Sequence, residues 1–138
     1  MKRVAKLILT DKDNRYLMLH RSNHPSFPHD PDLPGGTLED DEDPLEALVR
    51  EVFEETGVSL DAAAIEKVHE SSKYDEGYTY YLYRLRYEGK PNITISWEHS
   101  HYEWLPLDEF ISKTHGAIDK YMHMVHDYLS QNSSWPIG

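Results

Sequence analysis

The chain has no cysteine among its 138 residues, which excludes disulfides, thiolate metal sites and a cysteine nucleophile together. A protein with no disulfide to form is expected in the cytoplasmic compartment. Long apolar runs are also missing. The amino-terminal stretch MKRVAKLILTDKDNRYLMLHR interrupts its hydrophobic segments with charge too soon for a signal peptide or a membrane span, so no membrane partner is expected. Basic residues are scarce, 14 against 25 acidic ones, for a formal net charge of −11. Such a chain lacks the basic footprint that duplex or long single-stranded nucleic acid requires. Small phosphorylated molecules stay compatible, because bound metal ions can become the largest local charges and override an acidic surface. No repeat, linker or low-complexity block divides the chain, and its length suits a single domain over 1–138 with one adequate core.

What the sequence has in abundance is carboxylate, and one segment arranges it. Gly36 to Val58 reads GTLEDDEDPLEALVREVFEETGV, just behind a Leu33-Pro34-Gly35-Gly36 turn. Asp43 can cap a helix, Pro44 suits the first helical position, and Glu46 sits three residues after the cap. Gly57 supplies the left-handed stop, so the pattern predicts a helix over Pro44 to Thr56. Leu45, Leu48, Val49 and Val52 make its apolar stripe, with Phe53 at the edge. Glu51 and Glu55 lie four apart with Glu54 beside them, flanking that stripe. Like charges at this spacing weaken an isolated helix by a few tenths of a kcal/mol per pair, roughly, so bound cations would make the arrangement favourable. Carboxylate oxygens are hard ligands, and Mg²⁺, with Mn²⁺ as the alternative, is the natural guest. Such an ion would neutralise a diphosphate, polarise its phosphorus and lower the pKa of a water.

Written by position the segment is G-x5-E-x7-R-E-U-x-E-E-x-G-U, with U a bulky aliphatic, filled by Gly36, Glu42, Arg50, Glu51, Val52, Glu54, Glu55, Gly57 and Val58. A chance match at a given start is roughly 10⁻⁹ to 10⁻¹⁰ at ordinary residue frequencies. The pattern is the complete Nudix box, and the chain resembles the Nudix (MutT-like) hydrolases. That resemblance implies an α+β fold, an α/β/α sandwich around a mixed β-sheet. It implies metal-dependent cleavage of a diphosphate bond in a nucleoside di- or triphosphate derivative. It also implies metal ligation by Glu51, Glu54 and Glu55, a carbonyl contributed by Gly35, and an Arg50 that pairs with a catalytic glutamate. Outside the box, Glu98 stands where many relatives have a further metal ligand or general base, and Arg21 where an arginine reaches substrate phosphate. Two alternatives attach to the same fold. One is a nucleotide sensor that binds without turnover, and the other is the isopentenyl diphosphate isomerase branch, which the lack of cysteine disfavours.

Elsewhere, Val4 to Leu9 and Tyr16 to Leu19 read as strands of a hairpin turning at Asp11 to Asn14. Ser22 to Asp32 reads as an irregular loop, because of Pro25, Pro28 and Pro31, that leads into the Gly-Gly turn and would line a pocket. Ile65 to His69, Tyr78 to Tyr87 and Ile93 to Trp97 read as further strands, and Ile118 to Leu129 as a second helix. Of the Glu39 to Asp43 acidic run, only Glu42 is singled out by the box. His99 and His101 read as surface histidines, and Glu103 as part of a half-buried strand. Among Phe27, Tyr74, Tyr78, Tyr80 and Trp97, ordinary packing is expected for most, with one or two free to stack on a base. The absence of an extra amino-terminal domain tilts the reading toward a compact enzyme for nucleoside triphosphates. Oligomeric state is left open, a homodimer included.

Overall fold

The computed structural model describes residues 1–22 and 29–132. Its centre is strand β1 (Lys2–Thr10), whose alternating side chains divide the core. Val4 and Ile8 point to one face, while Ala5, Leu7 and Leu9 point to the other. Lys6 is the exception, a lysine on the Val4 face that is nonetheless buried.

Strand β2 (Tyr16–Arg21) follows a turn in which the Asp11 carboxylate accepts from the backbone N–H of Asp13 and Arg15. The expected hairpin closes only at its base, where Thr10 faces Tyr16. Beyond that pair β1 and β2 diverge, because β4 (Gly35–Thr37) takes the place beside β1, with Lys6 opposite Gly35 and Val4 opposite Thr37. Strand β3 (Pro31–Asp32) pairs with the end of β2, so Pro31 sits in regular structure after all. It occupies the first residue of a two-residue strand, a position where its missing N–H is tolerated. Residues 23–28, which include Pro25, Phe27 and Pro28 and most of the pocket-lining loop expected from sequence, lie outside the described residues.

Helix α1 (Pro44–Thr56) is the predicted one, residue for residue. The Asp43 carboxylate accepts from Leu45 and Glu46 N–H, and Gly57 closes the helix at φ 75°. Ala47, Leu48 and Val52 bury the apolar stripe against the Ala5–Leu7–Leu9 face, whereas Phe53 stays exposed.

After a short 3₁₀ turn at Ala62–Ala64, β5 (Glu66–Ser71) runs antiparallel to β6 (Tyr78–Arg86), which itself lies parallel to β1 along its whole length. The segment Ile93 to Trp97 is no strand, and Trp97 lies in a turn. Its amides are engaged elsewhere: Thr94 N–H donates to the Thr56 carbonyl (2.9 Å) and Ser96 N–H to that of Glu55 (3.1 Å), satisfying two orphan acceptors at the end of α1. The strand comes just afterwards, β7 (His99–Leu105), antiparallel to β2.

Two helices cover the opposite face. Helix α2 (Leu107–His115), not anticipated from sequence, buries Phe110 and Thr114. Helix α3 (Lys120–Gln131) buries Tyr121, Met122, Met124, Val125 and Leu129, while Ile118 precedes it and is exposed. A seven-stranded mixed sheet thus lies between α1 on one side and α2 with α3 on the other, the α/β/α sandwich expected.

Candidate active site

The helix α1 carboxylates meet the Gly-Gly strand. Gly35 N–H donates to Glu55 Oε1 at 3.0 Å, and a Cβ on Gly36 would lie 2.9 Å from the Glu51 carboxylate. Gly35 has φ +132°, and a Cβ there would fall 2.2 Å from the Ala5 carbonyl oxygen. Glycine is therefore required twice, once for backbone conformation and contact with β1 and once to leave room for a carboxylate.

Glu51, Glu54, Glu55 and Glu98 all border one cavity of about 570 Å³, along with Gly35, Lys6 and Arg21. The glutamates are graded in exposure. Glu55 is buried, Glu51 is half-buried, and Glu54 and Glu98 face solvent. Burial pushes the Glu55 carboxyl up to about 8; Lys6 and the Gly35 N–H oppose the shift, and Asp32 and Glu98 add to it. Glu51 is shifted upward as well, by burial first and by Glu54 and Glu98, against the pull of Arg50. Carboxylates that burial and mutual repulsion keep from ionising would be relieved by a bound cation.

Arg50 ties three glutamates together. Its Nε and Nη2 donate to both oxygens of Glu42 at 2.9 Å, its Nη1 donates to Glu54 Oε1 at 2.9 Å, and Nη1 lies 3.2 Å from Glu51 Oε1. These bonds hold the Glu42 carboxyl down to about 2. Glu42, singled out by the box, is thus the bidentate anchor of the guanidinium, while Glu54 and Glu51 receive its other end.

The rest of the cavity lining was not legible from spacing. Lys6 Nζ donates to Asp32, which also meets His99 Nε2 at 3.0 Å and lies 3.6 Å from Arg21 Nη2. Burial disfavours the ionised form of Asp32, but Lys6, His99 and Arg21 together hold its carboxyl well below the ordinary range. Arg21 donates to Asp119 at 2.7 Å and borders the cavity, so it stands where a phosphate-reaching arginine was expected, though engaged with carboxylates. The one signal for Lys6 in the sequence is a charge inside the apolar run VAKLIL.

His99 corrects the expectation of a surface histidine: it is 5% exposed, turned inward by its bond to Asp32. His101 is exposed. Of the aromatics, Tyr78 and Tyr80 line the cavity and Tyr74 donates to Asp127 at 2.6 Å. Trp97 is not packed but 86% exposed, immediately before Glu98.

The sandwich and its cavity define a class of small α+β domains in which glutamates on one helix face a glycine-rich strand. The chain belongs to the Nudix family, whose NUDIX domain model matches residues 1–125. It is 30% identical over 102 residues to a MutT-like protein of Streptomyces ambofaciens, covering 74% of this chain and 62% of that one. It is 34% identical over 98 residues to a dihydroneopterin triphosphate diphosphatase of Haemophilus influenzae, covering 70% of this chain and 57% of that one. The chain therefore spans 62% and 57% of the length of these curated relatives. Among solved structures, the MutT protein from Methanosarcina mazei Go1 superposes with a TM-score of 0.68 at 23% identity, over 94% of this chain and 92% of that one. The E. coli ORF135 protein gives 0.70 at 20% identity, over 100% and 95%. At these identities the structural likeness shows the fold.

Proposed function

We propose that this protein is a metal-dependent hydrolase that cleaves a phosphoanhydride bond in a nucleoside di- or triphosphate derivative, with Mg²⁺ as its ion and Mn²⁺ as a substitute. The observation that carries the proposal is the convergence of Glu51, Glu54, Glu55 and Glu98 on one cavity that also holds two cations, Lys6 and Arg21. The donor set is all oxygen, as a hard divalent ion prefers, and Gly35 borders the same cavity, where its carbonyl would add an oxygen in kind. When bound, the ion would neutralise the diphosphate and stabilise charge at the attacked phosphorus.

The remaining roles belong to the chain. Arg50 orients Glu54 and Glu51 through its fork, anchored on Glu42. Arg21 and Lys6, which border the same cavity, offer positive charge to phosphate oxygens. Glu98 stands at the solvent side of the cavity, where a carboxylate can take a proton from water. Tyr78 and Tyr80 supply an aromatic wall suited to a planar heterocycle.

Within this reading a triphosphate carrying such a heterocycle is the favoured substrate class, consistent with the name of the Haemophilus influenzae relative. The whole of 1–138 is taken as one catalytic domain working in the cytoplasm, where a chain free of disulfides suits a reducing environment. No helix among the described residues is long and apolar enough to cross a membrane.

The test is product release from a panel: plain and oxidised nucleoside triphosphates, dihydroneopterin triphosphate, ADP-ribose, dinucleoside polyphosphates and nucleotide sugars. Each is incubated with Mg²⁺ or Mn²⁺ and either the parent chain or Glu54→Gln. Turnover of one class, at least about 100-fold lower in the variant, is the expected result. Tight metal-dependent binding with no turnover of any compound would instead make the protein a nucleotide sensor.

A further inference from the structure

We propose that His20, His101 and Glu103 form a second metal site, separate from the glutamate cavity and selective for a d-block divalent ion such as Zn²⁺. Each residue offers one ligand atom, and the three atoms lie within 4.8 Å of one another. The β2–β7 register brings them together. His20 and His101 are directly opposed across the two strands, with their rings stacked at 4.2 Å and 8°. Glu103 is two residues beyond His101 and so projects from the same face. Its Oε2 is 2.6 Å from His20 Nε2.

The surroundings are those of a ligand set. Ser100 Oγ lies 2.9 Å from His101 Nδ1, and with the hydroxyl accepting from Nδ1–H this outer hydrogen bond leaves Nε2 to coordinate. Lys113 Nζ donates to the same Glu103 oxygen that faces His20, at 2.8 Å. It is the cation that now balances this carboxylate. Its side chain is 40% exposed, so a metal can displace it into water at small cost.

Donor chemistry separates the two sites. Two imidazole nitrogens and one carboxylate match the three-ligand set of open zinc sites, and nitrogen donors select Zn²⁺, Ni²⁺ or Cu²⁺ over Mg²⁺. None of the three residues borders the glutamate cavity. A second histidine group, His115, His123 and His126, lines a cleft between α2 and α3, but one ring nitrogen of His123 and one of His126 already meet backbone carbonyls. His123 Nε2 lies 2.7 Å from the Ala117 carbonyl, and His126 Nδ1 lies 3.2 Å from that of Ile111. Metal at His20, His101 and Glu103 would fasten β7, which among the described strands pairs with β2 alone, and so restrain the segment that carries Glu98.

The experiment is a Co²⁺ titration of the untagged full chain in saturating Mg²⁺, read by visible d–d absorption and followed by Zn²⁺ displacement. One Co²⁺ per chain is expected, with affinity at least about 100-fold lower in His101→Ala and Glu103→Gln. It should be unchanged in Glu54→Gln and His126→Ala. Absorption that survives His101→Ala, or that is lost with Glu54→Gln or His126→Ala, would assign the ion to another site and end the proposal. So would a parent chain that takes up no Co²⁺ in Mg²⁺. Because Mg²⁺ is present throughout and hydrolysis is not the readout, the result stands apart from the fate of the hydrolase reading.

Discussion

At the scale of single residues, adjacent glycines have different jobs, and substitution should separate them. Gly35→Ala meets both a positive φ and a Cβ contact with backbone, neither of which can relax cheaply. Denaturant unfolding should show a loss of about 2–4 kcal/mol. Gly36→Ala has no such backbone conflict; its Cβ meets only the movable Glu51 carboxylate. Stability should change by less than about 1 kcal/mol while metal-dependent activity falls about tenfold or more, and the opposite ranking of the two variants would contradict the geometry. Glu55 makes a pH prediction for the chelator-treated protein. Its folded pKa of about 8 exceeds the ordinary 4.5, so the unfolded chain ionises first. Stability is therefore full below about pH 4.5 and is lost as pH rises to about 8, by a few kcal/mol in order of magnitude. Melting temperatures in EDTA should fall across that window. They should flatten in Glu55→Gln and in Mg²⁺, which favours the ionised form, and a slope indifferent to both would refute the assignment.

At the scale of elements, legibility follows how locally each one is determined. Helix α1 carries its own start, stop and apolar period, and all three lie within fifteen residues or so. Its capping can be weighed directly. Asp43→Ala removes the acceptor for Leu45 and Glu46 N–H and should cost about 1 kcal/mol, a drop of roughly 3–5 °C in Tm, without altering kcat. A change in kcat larger than about twofold would mean that the cap also positions the carboxylates, two turns away. Helix α2 carries weaker signals: it has acidic residues in its first turn, basic ones in its last and Gly116 after it, but Pro106 caps it with no side-chain bond and only Phe110 and Thr114 are buried. Two anchors four residues apart are too few to reveal a period. Strands β3 and β4 have two and three residues, and partners rather than propensity define them. Ile93 to Trp97 has a strand's alternation, but its amides serve the end of α1, a tertiary demand that no local pattern encodes.

At the scale of the whole molecule, the two parts of the cavity lining differ in origin. The glutamate part comes mainly from one contiguous stretch, Gly35 to Glu55, and could be read from spacing. The rest of the lining gathers Lys6, Arg21, Asp32 and Asp119 from separate elements, and only the folded sheet brings them together. Charge acts at this scale too. The cavity border carries seven carboxylates, Asp32, Glu51, Glu54, Glu55, Asp75, Glu98 and Asp119, against Lys6 and Arg21, within a chain of net charge −11. On the proposed function, an anionic substrate would approach a repulsive far field and be attracted only within reach of metal ions held in the cavity and these two side chains. Salt shortens the reach of that field from about 30 Å at 0.01 M to about 8 Å at 0.15 M, while contacts inside the cavity are screened much less. With Mg²⁺ held saturating, kcat/KM should therefore rise roughly two- to fivefold over this range, with the gain in KM rather than kcat. A basic nucleotide-binding protein would show the reverse. If kcat/KM fell with salt here, the near field of Lys6, Arg21 and the ions would govern encounter, and Lys6→Met should then abolish the salt dependence that the net charge fails to explain.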